Sequence, residues 1–170
     1  MRILVVSDTH GRDGNLERVV EREAPFDHLI HCGDVEGREL FVEVLAECPC
    51  TIVAGNNDYY SDLLREVSLE LCGMRIFVSH GHFYGVSADP QGILTGARAR
   101  ACEIALFGHT HRPMLKLEGG ILLMNPGSLE LPRQEGRCPS YGILTLERGK
   151  APKAEIRYLG KAVERRGLGV

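Results

Sequence analysis

The chain has no surplus of positive charge, no long apolar run and no paired-cysteine motif, and each lack removes a class of protein. Lys and Arg number 20 against 23 Asp and Glu, a net charge of −3, so a basic face for gripping long nucleic acid is not expected. The longest aliphatic runs, such as Ile3 to Val6 and Ile121 to Met124, are four residues long, whereas a membrane span needs about 20. They are too short for a signal-peptide core as well, so Met1-Arg2-Ile3 reads as the start of a cytoplasmic protein with no membrane partner. The six cysteines, Cys32, Cys48, Cys50, Cys72, Cys102 and Cys138, form no CxxC pair and read as reduced, mostly buried thiols. Cys48 and Cys50 lack the second soft-ligand pair a metal site would need. Internal repeats, low-complexity segments and linkers are lacking too.

What remains is ordinary globular sequence: 170 residues, 44% apolar and 25% charged, suited to one domain over residues 1–170. Glycine is abundant, 20 residues, and the histidines use it: of seven, His10, His80, His82 and His109 each adjoin a Gly. Glycine permits tight turns, so imidazoles presented on loops are expected.

Arg2 to Ser7 reads as a strand, followed by helical spacing of Leu16, Val19 and Val20 up to Pro25. His28 to His31 is a second strand. Leu40, Phe41, Val44 and Leu45 mark a second helix, and Thr51 to Ala54 a third strand. This β-α-β-α-β order implies a parallel sheet with right-handed crossovers, and ligands then bind beyond the carboxyl ends of the strands. The second half is richer in strands. A hairpin joins Val67–Leu71 to Met74–Ser79 through Cys72-Gly73, and a helix over Asp89–Ala101 turns Ile93, Leu94, Ala97 and Ala101 inward. Strands are expected at 104–107, 114–117, 121–124, 141–146 and 154–158, forming a second sheet packed on the first. The polar tail from Gly160 to Val170 is expected to fray.

Five clusters fall at strand ends: Asp8-Thr9-His10, Gly33-Asp34, Gly55-Asn56-Asn57-Asp58, His80-Gly81-His82 and Gly108-His109-Thr110-His111. Each alone is an ordinary turn or helix cap. Together they supply oxygen and imidazole donors to one rim. In an extended segment residues i and i+2 point the same way, about 6–7 Å apart. Asp8 and His10 could then close on one ion, and His109 and His111 could straddle two. Asp34, alone after its Gly, is the natural bridge between ions about 3.5–4 Å apart. Asp58 is expected to brace the Asn56 loop, and His31 to be a buried, hydrogen-bonded ring.

In this order DxH, GD, GNxD, HGH and GHTH resemble the calcineurin-like metallophosphoesterase family. The short chain and Asn125-Pro126-Gly127-Ser128 are most similar to its small YfcE-like phosphodiesterases. The resemblance runs from residue 3 to about residue 133. It implies an α/β fold, a four-layer α/β/β/α sandwich of two mixed sheets flanked by helices, with a dinuclear metal centre. By that resemblance Asp8, His10 and His111 hold one divalent ion, Asn56, His80 and His109 the other, and Asp34 bridges both. Mn²⁺ is the expected metal, with Fe²⁺, Zn²⁺ and Ni²⁺ as alternatives. The implied activity is phosphodiester hydrolysis by a metal-activated hydroxide, with Asp34 and Asn56 in the catalytic centre. The substrate would be a small phosphoester. Homo-oligomer formation is implied by resemblance alone.

Larger relatives carry His at the position of Asn57, and an amide cannot act as an acid near neutral pH. A substitute acid is then needed for poor leaving groups. His82 is the candidate, with a phosphate contact or an orienting role as its alternative. A non-catalytic scaffold, like the retromer subunit of this fold, is the rival reading of the chain, and phosphomonoesterase or nuclease action the third.

Overall fold

The computed structural model describes residues 1–160 and 166–168. The chain runs β1 (Arg2–Val6), α1 (Gly14–Glu23), β2 (His28–His31), α2 (Glu39–Ala46), β3 (Cys50–Ile52), β4 (Glu66–Leu71) and β5 (Met74–Ser79). A single 3-10 turn over His82–Tyr84 leads to α3 (Gln91–Ala99). Then come β6 (Ile104–Leu106), β7 (Met114–Glu118), β8 (Ile121–Asn125), β9 (Ser140–Thr145), β10 (Lys153–Tyr158) and β11 (Arg166–Leu168).

Two mixed sheets result, ordered β11-β10-β9-β1-β2-β3 and β4-β5-β6-β8-β7. In the first, β1, β2 and β3 are parallel, with Val6 opposite His31 and His31 opposite Ile52. In the second, β5, β6 and β8 are parallel. The strand period of two divides each strand between faces. Ile3 and Val5 point into the space between the sheets, where Ile30, Ile76, Val78, Ile104, Leu106 and Met124 meet them. Leu4 and Val6 point outward beneath Leu16, Val19 and Val20 of α1 and Val42 and Ala46 of α2. Phe77, Ala105 and Leu123 of the second sheet lie under Ile93, Leu94 and Ala97 of α3. Helices therefore cover both outer faces of the stacked sheets, the expected four layers.

The β4–β5 hairpin turns through Cys72-Gly73, both with positive φ (54° and 78°), the type I′ geometry whose twist matches paired strands. The strands expected at 141–146 and 154–158 in the second sheet instead join the first, β9 pairing antiparallel with β1 and β10 with β9, and other expectations change as well. Leu40 and Val44, which mark the second helix in the sequence, are 73% and 68% exposed; α2 is polar only along Glu39 and Glu43, and Val42, Leu45 and Ala46 form the stripe that meets the sheet. Ala101 lies beyond α3 with φ 50° and is exposed, and Cys102 takes the buried place. All six thiols are free, but only Cys32 and Cys102 are buried and the other four are half-buried. Of the tail expected to fray, residues 161–165 and 169–170 lie outside the described residues, while Arg166–Leu168 pairs antiparallel with β10. The open edge of β10 offers unpaired N–H and C=O groups, and edge pairing there overrides the polar composition. No helix among the described residues is long and apolar enough to cross a membrane.

Candidate metal centre

Every candidate ligand follows the carboxyl end of a parallel strand: Asp8 and His10 after β1, Asp34 after β2, Asn56 after β3, His80 after β5, His109 and His111 after β6. Backbone bonds zip these loops together. Asp8 N–H donates to Gly33 O and His10 N–H to Asp34 O, both at 3.0 Å, and Gly108 N–H donates to His80 O at 3.1 Å. The His31 ring, buried between the first two loops, accepts from Gly33 N–H at 3.2 Å and meets Thr9 Oγ1 at 3.0 Å. Burial holds its pKa down to about 4.

Asp58 braces the third loop as expected. Its carboxylate accepts from the N–H groups of Gly55, Asp34, Val35 and Glu36 at 2.7, 2.8, 3.3 and 2.6 Å. The loop can lie this close because residue 55 is glycine: a Cβ there would stand 2.1 Å from Asp34 Oδ1.

The backbone brings these side chains together differently from the extended i, i+2 geometry expected. Asp8, His10, Asp34, His109 and His111 have φ of 56°, 49°, 56°, 66° and 56°, the left-handed region that costs a non-glycine residue roughly 1–2 kcal/mol. Sharp left-handed turns, rather than a pleated strand, aim neighbouring side chains inward. Such strain gathers at functional sites when the surroundings enforce it, and here the zipped loops do so.

One ligand atom each from Asp8, His10, Asp34 and His111 lies within 4.8 Å of all the others. A second group adjoins it. Asn56 Oδ1 is 2.7 Å from His109 Nδ1 and 3.1 Å from His80 Nε2. Asp34 Oδ2 belongs to both, 3.9 Å from His10 Nε2 and 3.6 Å from His80 Nε2. All seven side chains singled out in the sequence therefore converge.

Tautomers follow from the outer partners. The Nδ1 atoms of His10, His80 and His111 face Glu36 Oε1, Cys32 O and Leu131 O at 2.8, 2.7 and 2.8 Å. Each partner is an acceptor, so each Nδ1 carries the hydrogen and each Nε2 turns a lone pair inward. His10 Nε2 and His111 Nε2 stand 3.3 Å apart, and Asp8 Oδ1 is buried 3.1 Å from His111 Nε2. Lone pairs and carboxylates facing one another fit divalent cations, and the absence of thiol among them suits oxygen- and nitrogen-loving metals. Burial favours the neutral form of Asp8, but His111 and His80 outweigh it and hold the carboxyl below its usual range. Burial alone would push His111 down, and Asp8 beside it lifts it above the ordinary histidine value. His109 is lowered, by burial first and then by His80.

His82 stands one ring further out, 5.4 Å from His80 and 6.0 Å from His109 between centroids, with its Nδ1 buried and unpartnered. Asn57, read only as a missing acid, has a different part: its backbone N–H and Nδ2 donate to Asp34 Oδ1 and Oδ2 at 2.9 and 2.8 Å. Glu36 on His10 had no signal in the sequence beyond proximity to Asp34. The Asn125–Ser128 turn works on backbone. Asn125 Nδ2 donates to Gly108 O at 2.7 Å, and Ser128 Oγ to Asp8 O at 2.8 Å.

Residues 1–149 match the model of the calcineurin-like phosphoesterase superfamily domain. The chain is 35% identical over 165 residues to the probable metallophosphoesterase YsnB of Bacillus subtilis (strain 168), covering 96% of this chain and 95% of that one. It is 29% identical to the phosphodiesterase YfcE of Escherichia coli (strain K12), over 85% of this chain and 87% of that one. A crystal structure of a predicted phosphoesterase from Streptococcus pneumoniae TIGR4 superposes with a TM-score of 0.80 at 29% identity, covering 98% and 97% of the two chains.

Proposed function

The chain belongs to the calcineurin-like phosphoesterase superfamily, and from that premise we propose that it hydrolyses small phosphodiesters with the help of two divalent cations. The observation that carries this reading is Asp34 Oδ2, set between two donor groups and within 4 Å of an imidazole of each. Asp8, His10 and His111 would hold one ion, Asn56, His80 and His109 the other, and Asp34 both. Mn²⁺ is the expected metal, with Fe²⁺, Zn²⁺ or Ni²⁺ as alternatives. Such a pair of ions lowers the pKa of water toward neutrality and withdraws charge from phosphoryl oxygens.

The protein supplies the rest. Glu36, Cys32 and Leu131 fix three imidazoles in the tautomer that presents Nε2 inward. Asn57 holds both oxygens of Asp34. Asn57 carries no dissociable proton of use near pH 7, so protonation of the leaving oxygen falls to His82, the ring beside His80 and His109.

The test is hydrolysis of an aryl and an alkyl phosphodiester, bis(p-nitrophenyl) phosphate and dimethyl phosphate, by Mn²⁺-loaded protein. Activity on the aryl ester is expected, and Asp34→Asn should remove most of it while leaving the circular dichroism unchanged. His82→Ala should lower turnover of the alkyl ester by about 100-fold more than that of the aryl ester. A folded protein inactive with Mn²⁺, Fe²⁺, Zn²⁺ and Ni²⁺ would contradict the reading.

A further inference from the structure

A row of π-bearing side chains leads away from the candidate metal centre. The rings of His109 and His80 lie 5.2 Å apart, those of His80 and His82 5.4 Å, and those of His82 and Phe83 4.1 Å. The row ends at Arg65, whose guanidinium carbon sits 5.0 Å over the Phe83 ring. Beside it lies a cavity of about 380 Å³ walled by Asn56, Tyr59, Ser61, Arg65, His82 and Phe83. Asn56 belongs to this wall and to the metal centre, so the cavity opens directly from the place of reaction.

Three features set its chemistry. Phe83 is 65% and Tyr59 79% exposed, large rings presented to the cavity rather than to the core. Arg65 makes no ion pair among the described residues, whereas Arg2, Arg38, Arg100 and Arg157 each meet a carboxylate. Asp58, the acid in the wall, already accepts from four backbone N–H groups. An adjoining cavity of about 650 Å³, which shares Asp58 and Tyr59 with this one, is lined by Glu36, Glu39 and Asp62, a wall that repels anions. A guanidinium stacked on an aromatic ring keeps its N–H fork free for a phosphate.

Resting on the phosphodiesterase reading above, we propose that this cavity receives one ester substituent of the substrate, a nucleoside carrying a second phosphate, with Arg65 as the contact to that phosphate. The enzyme is then selective for short, terminally phosphorylated nucleotide diesters over diesters with a single charge.

Two p-nitrophenyl esters of thymidine 5′-phosphate test this, one with a free 3′-hydroxyl and one with a 3′-phosphate. For the Mn²⁺-loaded enzyme KM should be about tenfold lower for the phosphorylated ester. Arg65→Ala should bring the ratio of the two KM values to about one, Arg65→Lys should keep part of it, and Arg65→Glu should invert it. Calorimetry should give the same ranking for thymidine 3′,5′-bisphosphate over thymidine 5′-monophosphate, with the preference gone in Arg65→Ala. Hydrolysis of both esters at equal KM, or a preference that survives Arg65→Ala, would overturn the subsite and leave the phosphodiesterase reading standing. Failure to hydrolyse either ester, together with inactivity on bis(p-nitrophenyl) phosphate, would overturn both.

Discussion

Glu36, Cys32 and Leu131 determine what His10, His80 and His111 can do, because a hydrogen committed to an outer acceptor leaves only the inner nitrogen as a donor of electrons. Asn57 does the same for Asp34 through its amide. Removing such a partner typically weakens metal binding by about 10–100-fold. Asn57→Ala is therefore expected to lower Mn²⁺ affinity by that factor in calorimetric titration, with the far-ultraviolet circular dichroism unchanged; unaltered affinity would contradict its part. The clusters that carry the inner donors were legible because each sits at a strand end near a glycine, while the family resemblance alone singled out which members of each would be ligands. Asn57 and Glu36 were not, since their partners lie 23 and 26 residues away and no local pattern announces the pairing. The left-handed backbone at Asp8 and His10 was equally hidden, because it is imposed by bonds to Gly33 and Asp34 of another loop.

At the scale of elements, parallel strands bring the loops to one edge and Asp58 locks two of them together. Its four backbone donors come from the segments after β2 and β3. Asp58→Ala would orphan several buried N–H groups at once and should destabilise the fold by about 2–3 kcal/mol in urea denaturation. A change near zero would show that water replaces the carboxylate. A short unbroken apolar run, Ile3-Leu4-Val5-Val6, made β1 readable as a strand buried on both faces, and its two faces do pack against different layers. The face of α2 was not readable, since with only Glu39 and Glu43 polar its apolar arc is too wide for periodicity to fix the side that packs. β11 was not readable either: three residues in a polar tail pair because β10 has an open edge, a fact about the sheet and not about the tail.

Across the whole molecule, the first and last parts of the chain are tied beneath α1. Glu23 is buried and meets Arg2 at the start of β1, Tyr141 of β9 at 2.6 Å and Arg157 of β10. Burial alone would raise the Glu23 pKa, but Tyr141, Arg157 and Arg2 outweigh it and hold it below its ordinary 4.5. A carboxyl lowered on folding stabilises the fold above its unfolded value, and that contribution is lost as pH falls below 4.5 through the folded value. Glu23→Gln should thus cost on the order of 2–3 kcal/mol at pH 7, with the gap from wild type narrowing below pH 4.5 in urea melts. A gap independent of pH would contradict the ionised network. Above it, two sheets deliver five loops to one rim, and the central claim is that this rim holds a pair of cations with Asp34 between them. Anomalous diffraction from crystals grown in excess Mn²⁺ tests that claim most directly. Two peaks about 3.5–4 Å apart are expected on either side of Asp34 Oδ2, one near Asp8 and His111 and the other near Asn56 and His109; no peak among these side chains would contradict it.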